Sequence, residues 1–159
     1  MPDQHAIATT DPAHPDPADP GVLARLAQFG WVALGGAVGT LGRAGLSALI
    51  GDVAGLPLGI LVINVTGALA LGVLLQALAL RGPDRGSRRT VRLLLGTGVL
   101  GGFTTYSLLA TDVAQLLLSG DVWGGLGYGA ATLVLGGLAT WAGMGLARAV
   151  LRSRGATDG

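Results

Sequence analysis

The sequence predicts an all-α membrane protein with four transmembrane helices, the third broken near its middle. Three observations carry this reading. Half of the 159 residues are hydrophobic and only 12% are charged, with a mean hydropathy of +0.62, too apolar for an ordinary soluble domain. Four long apolar stretches follow one another, each near the roughly 20 residues needed to cross about 30 Å of hydrocarbon. The third is interrupted by Gly101-Gly102-Phe103-Thr104-Thr105-Tyr106-Ser107. In hydrocarbon, irregular backbone survives only where it is buried in protein or lines a wet cavity or ion site. The break therefore demands a function.

Residues 1–24 form the first expected unit, a disordered cytoplasmic tail rich in Pro and Asp. It has almost no apolar content with which to fold, and lacks the basic and apolar regions of a secretory signal. His5 and His14 have no fixed spacing and read as plain tail. Residues 25–152 form the four-helix domain, and 153–159 a short C-terminal tail. Its spans are expected at about Phe29–Ile50, Leu58–Leu80, Val91–Leu118 and Trp123–Leu151. Links one and three, Gly51 to Gly55 and Ser119 to Asp121, are short and make neighbouring spans antiparallel. The second link, Arg81 to Arg89, is polar and basic. With 29 glycines and 4% aromatics, the helices should meet backbone to backbone. Cysteine is absent, which excludes disulfides and thiolate metal sites. All basic residues are Arg and all acidic ones Asp, a pattern that reads as coding bias.

Charge sets the expected orientation. One side of the bundle collects Arg25, Arg81, Arg85, Arg88, Arg89, Arg92, Arg148, Arg152 and Arg154, while the other carries Asp52, Asp121 and no basic residue. The positive-inside rule then puts both termini in the cytoplasm.

A few polar residues lie within the spans, where a charge is costly. Arg43 reads either as a snorkelling anchor or as part of an anion pathway or polar network. Gly35 and Gly39 make a packing seam. Asn64, near the middle of the second span, either ties helices together or donates to an anion. At the break, Gly101 and Gly102 can take conformations closed to other residues. Freed carbonyls there suit a small cation and freed N–H groups an anion, the alternative being a simple kink satisfied by Ser and Thr. Asp112 is a mouth carboxylate or an interfacial charge. Tyr128, Thr132 and Gly136 recur every four residues and share one helical face. Trp31, Trp123 and Trp141 read as packing or interfacial anchors.

These four segments, over about residues 30–150, resemble the fluoride channel family, the Fluc or CrcB proteins. Three motifs carry the likeness: Gly35, Gly36, Gly39 and Arg43; Ile63-Asn64-Val65-Thr66-Gly67; and Gly101 through Ser107. The resemblance implies an antiparallel, dual-topology-type dimer with two fluoride pathways in a bacterial cell membrane. It also implies a structural sodium ion at the dimer centre, held by backbone carbonyls at the positions of Gly101 and Thr104. Oxygen ligands exposed by a helix break suit such a hard cation. Asn64, Tyr106, Ser107, Tyr128, Thr132 and Arg43 would mark the fluoride pathway. A narrow track of donors there replaces the ion's hydration shell, and cytoplasmic fluoride leaves passively.

The chain departs from the family pattern at four positions. Tyr106 and Leu109 stand where the family has two phenylalanines, Ile60 replaces a common threonine, and Asp112 replaces a glutamate. The family contains both homodimers and heterodimers of oppositely oriented homologues. The one-sided arginines favour the heterodimer. No nucleic-acid partner is expected. A small dual-topology-type exporter of cations or drugs is the rival function, for which Asp112 would be the cycling carboxylate. A non-transporting scaffold leaves Asn64 and the break without a task. An enzyme is excluded by the lack of catalytic His, Cys or metal clusters in the spans.

Overall fold

The computed structural model describes residues 20–51 and 56–157, and every regular element among them is helical. The first span is α1 (Pro20–Ile50) and the second α2 (Leu58–Leu80). The third span is composite: α3 (Ser87–Val91), a π-helical stretch over Arg92–Leu100, the single turn α4 (Gly101–Phe103), and α5 (Tyr106–Leu118). The last span is α6 (Val122–Thr157). Four segments are long and apolar enough to cross a membrane: Gly21–Ile50, Leu58–Leu80, Ser87–Leu118 and Val122–Ser153.

Two expected bounds need adjustment. The first helix begins at Pro20, so residues 20–24 belong to it and not to the tail. Proline is tolerated in a first helical turn because its missing N–H has no partner there anyway. The last helix continues to Thr157, through most of the segment expected as a C-terminal tail. Residues 1–19 of the expected tail, with His5 and His14, lie outside the described residues, as do residues 52–55 of the first link and 158–159.

Spans one and three run in the same direction, as do spans two and four. Arg89 Nη2 donates to Gln28 Oε1 at 3.1 Å, which ties the start of the third span to the first. At the opposite end, the Tyr128 hydroxyl donates to the Pro57 carbonyl at 2.9 Å. Both termini of the bundle and the arginine-rich link thus share one end.

Glycine sets the helix contacts, by absence of side chain more than by backbone freedom. A Cβ on Gly35 or Gly39 of α1 would collide with the carbonyl of Leu94 or Val99 respectively. One on Gly98 would lie 2.9 Å from Gly35 Cα and 3.0 Å from the Val32 oxygen. Between α2 and α6, Gly72 abuts the Thr140 backbone and Gly143 abuts Leu69. Such close approach is how membrane helices gain packing where lipid offers no hydrophobic drive to associate. The small core fits that picture. Ile60, Ile63, Leu109 and Tyr128 are buried together, with Leu46, Phe103 and Val113 against them, while large apolar groups such as Leu118 and Trp123 face outward.

Candidate functional site

The helix opens later than the glycines suggest. Gly101 is helical (φ −65°, ψ −36°), and Gly102 lies in the same turn, seated against the Gly36 backbone. The extended residues are Thr104 (φ −76°, ψ 155°) and Thr105 (φ −149°, ψ 120°). The correction has a physical cause: the glycine pair is needed for close approach to α1, while the opening is held by side-chain hydrogen bonds.

Asn64 supplies the principal ones. Its Oδ1 accepts from the Thr105 N–H at 2.8 Å, and its Nδ2 donates to the Thr105 carbonyl at 3.0 Å. One amide side chain therefore satisfies both polar groups of an extended residue inside the membrane, where an unsatisfied group costs several kcal/mol. Thr105 then caps α5: its Oγ1 accepts from the Leu108 N–H at 3.2 Å and lies 3.2 Å from Ser107 Oγ. Side-chain capping of this kind satisfies one orphan amide at a helix start. Thr104 closes the upstream end, its N–H and its Oγ1 both donating to the Leu100 carbonyl at 2.9 Å.

These bonds release two carbonyls. In an unbroken helix Gly101 would accept from the Thr105 amide and Thr104 from the Leu108 amide. Those amides go instead to Asn64 and to Thr105 Oγ1, and Gly101 is exposed at the surface. Neutral oxygens without a ladder partner are the donor set a hard cation prefers. The positions named for sodium therefore fit such an ion.

Beside the break lies an open groove of about 320 Å3, lined by Asn64, Thr104, Thr105, Tyr106, Thr132 and Thr140 among apolar neighbours. The second N–H of Asn64 Nδ2 makes no hydrogen bond among the described residues, so the groove holds at least one available donor. The threonine hydroxyls are differently placed. Thr132 Oγ1 donates to the Tyr128 carbonyl at 2.9 Å and Thr140 Oγ1 to the Gly136 carbonyl at 3.0 Å. Thr132 must rotate off its own helix before donating elsewhere, whereas Thr140 Oγ1 also lies 3.4 Å from the Ala68 carbonyl of α2. Tyr106 is 74% exposed, with its ring at the groove's edge.

Not all the expected pathway residues converge. Ser107 is exposed beside Thr105. Tyr128 is buried on the face it shares with Thr132, but its hydroxyl points to the Pro57 carbonyl, with Asp112 Oδ2 at 3.5 Å. Arg43 is half-buried on α1 and lines a separate recess with Thr40, Ser47 and Leu108. Thr105 and Thr140 line the groove although the sequence reading does not count them among the pathway residues. A threonine just before the apolar run from Tyr106 is an N-cap signal, and Thr140 lies eight residues beyond Thr132 on the same face. Two of the family departures, Ile60 and Leu109, meet in one core with Ile63 and Tyr128.

Comparison with known proteins gives the family. The family described as "CrcB-like protein, Camphor Resistance (CrcB)" matches residues 30–144. A protein of Leifsonia xyli subsp. xyli named "Fluoride-specific ion channel FluC 2" is 53% identical over 124 residues, covering 78% of this chain and 86% of that protein. "Fluoride-specific ion channel FluC 1" of Cutibacterium acnes is 44% identical over 126 residues, or 79% and 88% of the two chains. "Fluoride-specific ion channel FluC" of Paracoccus denitrificans is 42% identical over 118 residues, 74% and 91%.

Proposed function

Since the chain belongs to the CrcB family, we propose that it is a subunit of a fluoride-selective channel that lets cytoplasmic fluoride leave the cell passively. The observation that carries this reading is the Asn64 amide, fixed at the break beside a threonine-lined groove, with one N–H that meets no partner among the described residues. Fluoride is small, strongly hydrated and a strong hydrogen-bond acceptor. Close donors replace its water, and a narrow bore rejects chloride by size. The threonine hydroxyls extend the track by rotating as the ion passes. Ser107 beside the break and Tyr128 nearer the arginine-poor end continue it, and Arg43 attracts the anion at a vestibule. No bond is made or broken.

The groove opens on the outside of the chain, so a second subunit is needed to close it. The arrangement we propose is an antiparallel dimer with the released carbonyls of Gly101 and Thr104 facing its centre. Sodium bound there would offset the partial negative charge of carbonyl oxygens that otherwise face those of the partner subunit across the axis. The arginine-rich end faces the cytoplasm with both termini. Its one-sidedness favours a heterodimer with a homologous subunit of opposite orientation.

Purified protein in liposomes tests the function by paired fluoride and chloride efflux. Fluoride efflux with chloride at background is expected when the oppositely oriented homologue is present, and its loss on Asn64→Ala. Equal passage of both anions, or none in any preparation, overturns the channel. Full activity from this chain alone, with both orientations found in cells, overturns the pairing. A dimer that assembles and conducts equally well in sodium-free buffer removes the ion from the scheme.

A further inference from the structure

At the arginine-rich end, a recess of about 520 Å3 lies between the last turns of α2 and the link that follows, lined by Leu75, Leu78, Ala79, Asp84, Arg88 and Arg92. Its two walls differ in chemistry. Leu75 and Ala79 are exposed on the outer face of a membrane-spanning helix that ends at Leu80. The other wall carries two guanidinium groups in different states. Arg92 Nη2 and Nε lie 2.8 and 2.9 Å from Asp84 Oδ2, so these two charges largely cancel. Arg88 donates from Nε to the Pro83 carbonyl at 3.0 Å and from Nη1 to the Arg81 carbonyl at 2.8 Å. Both of its partners are neutral. The side chain is thus held in one position, with no counter-charge in contact and Nη2 still available among the described residues. Between Arg81 and Arg92 the sequence holds five arginines against one aspartate.

We propose that this recess binds an anionic phospholipid, its phosphate on Arg88 and one acyl chain along Leu75, Leu78 and Ala79. A charge at the end of an apolar wall, at the hydrocarbon boundary, matches a molecule that is anionic at one end and apolar at the other. Basic clusters at that level attract anionic headgroups. Free phosphate would use the arginine and leave the apolar wall empty. Asp84 does not repel the headgroup because Arg92 already neutralises it. The inference is independent of fluoride conduction.

The test uses the full chain in nanodiscs of equal phosphatidylglycerol and phosphatidylcholine, with the retained lipid counted by native mass spectrometry. One unpaired guanidinium near the surface predicts about fivefold enrichment of phosphatidylglycerol. In detergent, phosphatidylglycerol should raise Tm where phosphatidylcholine and inorganic phosphate do not. Arg88→Gln should abolish the enrichment and Arg25→Gln, outside the recess, should keep it. Should Arg88→Gln fail to fold, Ala79→Trp blocks the acyl wall and leaves the guanidinium in place, and it too should abolish enrichment. Equal retention of the two lipids, or enrichment that survives every folded substitution in the recess, overturns the proposal. A Tm rise with phosphate equal to that with phosphatidylglycerol assigns the site to free anions and also overturns it.

Discussion

The two halves of the third span are held in place by opposite means. Upstream of the break, the π-helical stretch and α4 lie against α1 through Gly35, Gly39, Gly98 and Gly102, where a Cβ would meet backbone. Downstream, α5 starts where Asn64 and Thr105 exchange two hydrogen bonds and Thr105 caps the helix. The first contact is set by shape and contains almost no polar chemistry. The second is set by polar chemistry and borders an open groove. A helix can therefore be broken in a membrane without destabilising the bundle, provided one side of the break is clamped sterically and the other satisfied by side chains.

The largest effect should come from breaking the steric half. Gly39→Val would drive its side chain into the Val99 carbonyl. We expect a loss of about 3 kcal/mol, the upper end for overpacking, seen as a lower Tm and aggregation in detergent. A wild-type Tm would show that α1 and the third span can slide apart. Gly45→Ala, where no atom lies within 4 Å, should change stability by less than about 0.5 kcal/mol and makes the matched control.

Breaking the polar half comes next. Asn64→Ala strands the N–H and the carbonyl of Thr105 at a cost of about 2 kcal/mol, with loss of fluoride efflux. Asn64→Asp sharpens the point: its carboxyl, neutral at a depth where a charge is costly, still accepts from the Thr105 N–H and donates its one O–H to the Thr105 carbonyl, but keeps no further donor for an ion. It should recover part of the stability and none of the efflux. Recovery of both would shift the role of Asn64 from donor to mere spacer.

Smaller still is the cap. Thr105→Val keeps the shape and removes the acceptor for the Leu108 N–H, which should cost about 1 kcal/mol. Thr105→Ser should retain the cap. If valine and serine unfold at the same temperature, the start of α5 depends on Asn64 alone.

The smallest change lies outside both halves. In the exposed link, the hydrogen bond from Arg92 holds the Asp84 carboxyl below its ordinary value. A depressed carboxyl contributes stability above its unfolded value and loses it as pH falls through the folded one. Asp84→Asn should therefore lower Tm only slightly at neutral pH, since exposed pairs contribute little. The gap from wild type should close on acidification. A gap that widens toward low pH would contradict the assignment.

Much of this was legible from local pattern. Span count, the composite third span and the gathering of arginines at one end all rest on residues close together in sequence. So does the placement of Tyr128 and Thr132 on one face, borne out by the bond from Thr132 to the Tyr128 carbonyl. The position of the opening was not legible. Gly101 and Gly102 looked like the break because glycine permits unusual backbone, yet their use is to let α1 approach, and only the fold shows what they touch.

The sequence by itself thus determined that a four-span bundle must accommodate a polar interruption, because hydropathy and chain length are properties of single segments. Only the tertiary structure decided that the interruption opens at Thr104 and Thr105. It alone gave Asn64, 41 residues away, both bonds of Thr105. It also set Arg43 in a recess apart from the groove and brought Ile60 and Leu109 into one core. Each of these depends on which helices come within contact distance. In a bundle held by glycine seams, that distance is decided by backbone meeting backbone across spans.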